Sequence, residues 1–210
     1  MGYDPALAYA WVRARSLVRG LPDPVPDHGG LRVDTRSEGE QARWVFAEAC
    51  SGIGRLGQTI TQPGYLLKLF APPEELMALL PSRWKAQPER WFMGKTAAAM
   101  AVCLPDRYSA RLMRAKQVSH VQIMASDGTL AAEGFAAETA QALVYDRIMT
   151  AEAHRLRGLG SYIIQILGEQ CSDPGRTHLL VATAAGRALY ERRGWKVLCP
   201  YATAGVVSPE

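Results

Sequence analysis

The run from Ser119 to Glu138 constrains the fold most. "SHVQIMA" and "LAAEGFAAE" are strand-like, and "SDGT" between them is a tight-turn sequence, so the pair reads as a β-hairpin. "QALVYDRIMT" follows as a third strand, making an antiparallel meander. A helical apolar pattern then runs to about Cys171. After it come the turn "SDPGR", the strand "THLLVAT", a helix through "AGRALYERR" and a last strand "WKVLCPY". The order β-β-β-α-β-α-β predicts an α/β (α+β) fold with a mixed, mainly antiparallel sheet flanked by helices.

The first half reads as an N-terminal α/β extension. Residues 5–19 form an amphipathic helix with Leu7, Trp11, Ala14 and Val18 on one face, Arg13, Arg15 and Arg19 mostly off it, and Gly20 as the stop. "LPDPVPDHGG" is an extended connector. "LRVDT", "RWVFAEA" and "YLLKLFA" are strand-like, "PPEELMALLP" is a short helix, and "RWKAQPERWFMG" is extended. The strand and helix alternation over residues 43–93 echoes the second half. Two portions are expected, 1–115 and 116–210.

At 210 residues, 48% of them hydrophobic, the chain can bury a sizeable core. The net charge of +4 comes from arginines spread along the chain. A nucleic-acid binder would concentrate them in a stripe, so no nucleic-acid partner is expected, and the excess suits one anionic small ligand. Cys50, Cys103, Cys171 and Cys199 show no C-x-x-C spacing and no histidine cluster, which predicts free thiols in a reducing compartment and no metal. No apolar run has membrane-spanning length, and the N-terminus has neither a secretory pattern nor, with Ala6, a myristoylation site. The expected location is cytoplasmic, with no membrane partner.

"HRLRGLGSYII", residues 154–164, puts two arginines and two glycines ahead of a helix marked by Leu159, Ile163, Ile166 and Leu167. The first amides of a helix lack intrahelical partners and carry the positive end of its dipole. Glycine lets a ligand reach them, and Arg155 and Arg157 add charge, which makes an anion site suited to phosphate or pyrophosphate. Alone, R-x-x-G-x-G is more often an ordinary strand-to-helix turn. "GIGRLG", residues 52–57, fits G-x-G-x-x-G, but Pro63–Gly64 breaks any long helix and no acid ends the next strand, so it reads as a loop and short helix.

"VYDRIMTAEAHRLRGLGSYII", followed by "HLLVATAAGRALYERRGW", resembles the GNAT superfamily of acyl-CoA-dependent N-acyltransferases. The resemblance covers about residues 117–200. It implies that the amides around Arg155, Leu156, Arg157, Gly158, Leu159, Gly160 and Ser161 wrap the coenzyme A pyrophosphate. It implies that Ile148, Met149 and Thr150 run beside the pantetheine arm, where an amide polarises the thioester carbonyl; the same residues would equally suit plain sheet. Tyr190 matches the tyrosine that protonates the departing thiolate, or else packs beside Ala185, Ala188 and Leu189. Glu152 stands about where many members have a proline, which shifts the amide assignment by about one residue.

Direct transfer needs a neutral amine and hence a base. Asp146, taken by period two to share a face with Ile148 and Thr150, is the first candidate, and Glu133 on the neighbouring strand is the second; either also fits a salt-bridged strand residue. The resemblance implies that residues 116–210 are the acyl-CoA-binding catalytic portion and that residues 1–115 form the acceptor side, where Trp44, Trp84 and Trp91 suit an aromatic acceptor pocket or, more commonly, the core. The resulting expectation is an N-acetyltransferase using acetyl-CoA as co-substrate and a small-molecule primary amine as acceptor. No cysteine lies in a matched catalytic motif, so attack is direct, in a ternary complex. Family members are often dimers, so a homodimer is compatible. The competing classes are a non-catalytic coenzyme A-binding sensor or scaffold, and a nicotinamide-dependent oxidoreductase built on "GIGRLG".

Overall fold

A computed structural model describes residues 3–96 and 101–207. The first helix, α1 (Pro5–Val18), starts where Asp4 accepts the amide of Ala6 and Pro5 sits at the first helical position. Its buried stripe includes Ala8, Trp11, Val12, Ala14 and Val18. The chain continues through β1 (Val25–Asp27), β2 (Gly30–Ser37), β3 (Glu40–Phe46), α2 (Ser51–Thr59), β4 (Tyr65–Leu69), α3 (Pro73–Ala78), β5 (Trp84–Ala86) and β6 (Arg90–Lys95). The second half holds β7 (Tyr108–Ala115), β8 (Val118–Ala125), β9 (Leu130–Glu138), β10 (Ala142–Thr150), a 3-10 turn (Glu152–His154), α4 (Leu159–Gly168), β11 (Thr177–Ala182), α5 (Ala184–Glu191) and β12 (Lys196–Val206).

All strands join one sheet in the order β1-β2-β3-β4-β12-β6-β11-β10-β9-β8-β7, with β5 also paired to β12. Every pairing is antiparallel except β3 with β4 and β10 with β11, each of which is linked by a helical crossover. The sheet does not divide at residue 115. Strand β6, from the first half, lies between β11 and β12, and β12 pairs with β6 through Tyr201 and then with β4 from Ala202. The repeated β-α-β unit at β3-α2-β4 and β10-α4-β11 gives the sequence echo its structural form.

Two segments differ from the sequence reading. The connector contributes β1, held to β2 through Val25, Pro26 and Asp27. Strand β7 was not foreseen: it is an edge strand, exposed along most of its length, so it lacks the apolar alternation that betrays a half-buried strand.

Three clusters make the core. Helix α4 packs Leu159, Ile163 and Leu167 on one face of the meander. Helix α1 packs Trp11, Val12 and Ala14 on the opposite face, against Val144, Phe92 and Tyr201. A third cluster joins β3, α2, β4 and β12, and it holds Trp44 and Trp84. Those two tryptophans are core residues whose indole N–H groups donate to Asp27 and to the Gly57 carbonyl. Trp91 is half-buried, under the Arg187 guanidinium. No helix among the described residues is long and apolar enough to cross a membrane.

Candidate functional site

Strands β10 and β11 are parallel neighbours only at Ala142–Val144 against 177–179. Beyond Val144 they part, and the gap is a cavity of about 600 Å³. Its walls include Tyr145–Thr150 of β10, Leu180–Ala182 of β11, the loop before α4, and Tyr190 with Arg192 at the end of α5. In the first half β3 and β4 stay paired along Ala42–Phe46, so the equivalent gap is closed.

A bulge shapes the upper end of β10. Asp146 pairs with Phe135 and Met149 with Glu133, so Arg147 and Ile148 together face Gly134. Arg147 takes a left-handed φ of 55°. Gly134 is required here, since a Cβ would fall 2.5 Å from both Ile148 Cδ1 and Ile163 Cγ2.

The bulge corrects the period-two expectation. Ile148 packs with the α4 cluster, while Asp146 follows Val144 onto the α1 face. There Arg19 grips Asp146, with Nε donating to Oδ2 at 2.6 Å and Nη2 to Oδ1 at 3.2 Å; Arg15 Nε lies 3.7 Å from Oδ1. Both carboxylate oxygens are thus committed to guanidinium. This geometry ties Asp146 to α1 as a salt-bridged strand residue. Glu133 is not brought to the cavity. It lies 3.0 Å from His120 Nε2, and His120 stacks on Phe135.

At the loop, Leu156 (φ 62°) and Gly158 (φ 79°) turn the chain into α4. Gly158 is the N-cap, and no side chain caps the helix. The cavity wall therefore carries an open helix start together with His154, Arg155, Leu156, Gly158, Leu159, Gly160 and Ser161. Arg157 departs from expectation: its Nη1 donates to Tyr108 Oη at 2.7 Å, away from the cavity, and Tyr108 also meets His154 Nδ1 at 3.0 Å. Arg157 anchors the loop to β7. The cationic wall is completed instead by Arg147 and Arg192, which the motif does not mark.

Tyr190 is buried on the cavity wall, 5.9 Å from the Trp195 ring. Burial pushes its phenol up to about 12, so it keeps its proton across the neutral range.

A second cavity, of about 480 Å³, shares Arg19, Arg90, Asp146 and Val181 with the first. It is walled by Trp11, Arg15, Glu38, Glu40, Lys68 and Tyr201, side chains from α1, the β2–β3 turn, β4 and β12. Sequence reasoning assigned the acceptor side to the first half but found none of these residues. Two signals were present. Trp11, Arg15 and Arg19 recur every four residues and so form one stripe, and Lys68 stands alone in the apolar "YLLKLF".

The glycines of "GIGRLG" lie in α2 (Ser51–Thr59). A Cβ on Gly52 would collide with the His28 carbonyl oxygen, and one on Gly57 would meet Leu80 Cδ2 at 2.6 Å, so these glycines serve close packing.

No protein-family model and no curated protein matches the sequence. Solved structures do. A GCN5-related N-acetyltransferase from Kribbella flavida superposes with a TM-score of 0.69 at 15% identity, covering 100% of this chain and 97% of its own. A GCN5-related N-acetyltransferase-like protein from Streptococcus suis gives 0.61 at 12% identity, with 88% of each chain covered. A GCN5-related N-acetyltransferase from Sphaerobacter thermophilus gives 0.52 at 13% identity over 70% of this chain and 61% of its own. At such identities the likeness is one of architecture: the chain has the fold of the GCN5-related N-acetyltransferases, the GNAT fold.

Proposed function

We propose that the protein is an N-acetyltransferase that moves an acetyl group from acetyl-CoA to a primary amine of a small molecule by direct attack. One observation carries this reading. The gap between β10 and β11, the bulge, the uncapped start of α4 and Tyr190 all border a single cavity, and that cavity shares Arg19, Arg90, Asp146 and Val181 with a second one.

The residues present suit the coenzyme. The amides of Leu159, Gly160 and Ser161 at the helix start, with Arg155 and Arg192, would hold phosphate oxygens. Backbone at Arg147 and Ile148, at the bulge, would donate to the thioester carbonyl oxygen. When bound, acetyl-CoA supplies an acyl thioester. Tyr190 offers its O–H to negative charge developing on sulfur, and its raised pKa keeps that donor in place. Asp146, on the boundary between the cavities, holds Arg15 and Arg19 and positions the acceptor's amino end. The amine loses its proton to solvent water entering the cavity. Residues 1–115, through α1, the β2–β3 turn and β4, supply most of the acceptor side, which Asp146, Val181 and Tyr201 complete, and residues 116–210 supply most of the coenzyme side, which Arg19 and Arg90 complete.

The test is thermal unfolding with acetyl-CoA and, separately, NAD, followed by free-thiol release with a panel of small amines. Stabilisation by acetyl-CoA alone, with thiol release dependent on an amine, is the expected result. Stabilisation by NAD alone, or coenzyme binding with no turnover on any amine, would overturn the proposal.

A further inference from the structure

The second cavity has an unusual floor. Lys68 is 8% exposed, and its ammonium makes one hydrogen bond, to Thr203 Oγ1 at 3.1 Å. An ammonium carries three donors. Tyr201 and Trp11 line the same cavity, and their Oη and Nε1 atoms are buried without a partner. Buried polar groups in folded proteins are nearly always paired, so orphans gathered around one cavity point to a ligand. What the orphans lack is acceptors: the spare capacity of the ammonium and the indole is for donation alone, and the phenol can donate as well.

The carboxylates of the wall do not supply the acceptors. Asp146 is held by Arg19, and Glu40 pairs with Arg43. Glu38 is exposed at the rim, as is Arg90. Facing Lys68 are Arg15 and Arg19 from α1, Glu40 from β3, Arg90 from β6 and the ring of Tyr201. The surplus around the floor is positive.

Resting on the acetyltransferase reading above, we infer that this cavity is the acceptor site and selects amines that also bear a carboxylate. The carboxylate lies against Lys68, Tyr201 and Trp11, and the amino end lies toward Asp146 at the junction with the coenzyme cavity. A carboxylate brings about four lone-pair sites, enough to satisfy the floor. Burial, reinforced by Arg15, lowers Lys68 to about 7, and a bound anion opposes both causes, so binding at pH 8 draws a proton onto Lys68.

The test is calorimetric titration of the protein with coenzyme A present. The probes are 4-aminobutyrate and alanine, the corresponding amides, and 2-aminoethyl phosphate. At least one carboxylate should bind about tenfold or more tightly than its amide, the scale of one hydrogen bond to a charged group. Titrations at pH 8 in buffers of different ionisation enthalpy should show proton uptake. Lys68→Met should remove both the preference and the uptake. Arg90→Gln, a rim change that leaves the buried floor intact, should reduce the preference and covers the case in which the Lys68 variant fails to fold. Equal binding of carboxylates and amides, no binding of either carboxylate, a preference for the phosphate probe, or a preference unchanged in the folded variants would each overturn the inference. Stabilisation by acetyl-CoA, measured in parallel, separates the two readings. Its retention with a charge-blind acceptor site sinks only the carboxylate assignment, whereas its loss in the unmodified protein sinks the acetyltransferase reading.

Discussion

Gly134→Ala tests whether the β10 bulge links packing to coenzyme binding. The added methyl would lie 2.5 Å from Ile148 Cδ1 and Ile163 Cγ2, where carbon atoms prefer about 3.5–4.0 Å. Ile163 is fully buried and β-branched in a helix, so its χ1 has little freedom. Relief must come from Ile148 at the bulge or from a shift of α4, and both border the proposed coenzyme site. Overpacking of this kind costs about 1–3 kcal/mol. At about 2–4 °C per kcal/mol for a chain of this size, Tm should fall by about 2–12 °C. Stabilisation by a fixed acetyl-CoA concentration should shrink too: a tenfold loss of affinity removes about 1.4 kcal/mol, or about 3–6 °C of the shift. Gly54→Ala is the control. It lies inside α2 with only the Leu79 carbonyl oxygen nearby, at 3.7 Å, and should gain about 0.5–1 kcal/mol from helix propensity. Differential scanning fluorimetry of both variants with and without acetyl-CoA decides. A Gly134→Ala protein that loses stability yet keeps its full response would refute the link between bulge and site, and no loss of stability would refute the packing argument.

Tyr190→Phe should keep coenzyme binding and lower kcat by about 10²–10⁴ in the thiol-release assay, the usual range for loss of a positioned proton donor. Asp146→Asn should act chiefly on KM for the acceptor with little change in kcat; a collapse of kcat near neutral pH would restore Asp146 as the base. Lys68 should make stability depend on pH. Between about pH 7 and 10.5 the unfolded chain holds a proton that the folded chain has released, so unfolding free energy rises with pH there, by at most about 1.4 kcal/mol per pH unit. Urea unfolding of wild type and Lys68→Met at pH 7.5–9 checks this, because their difference isolates the lysine from titrating thiols; a difference that does not change with pH would refute it.

The second half was legible because its signals are local. A turn sequence between two alternating runs specifies a hairpin whatever lies far away, and an apolar pattern after Gly158 specifies a helix start. Nine of the ten residues assigned to the coenzyme line the first cavity, since they are consecutive along β10 and the loop. Arg157 escaped because its direction is set by Tyr108, 49 residues earlier and on a strand whose exposure hid it. The bulge escaped for a different reason. Period-two reasoning assumes an unbroken ladder, and nothing within "YDRIMT" announces an extra residue; the signal, Gly134, lies on the partner strand.

The second cavity, the proposed acceptor side, was illegible for a reason of topology. Its wall joins α1, β4, β10 and β12, whose residues are as far apart as Lys68 and Thr203, or Arg19 and Asp146, 127 positions distant. Such neighbours exist only because β12 pairs first with β6 and then with β4, making one sheet of two halves. Tyr201, facing Lys68, stands where that strand passes from one half to the other. The first cavity is therefore largely the product of one β-α-β unit, open because β10 and β11 diverge, while the second is a product of the union of both halves. On the proposed reading, substitutions within β4 or α1 change acceptor choice without touching coenzyme binding, and the two binding functions separate by mutation.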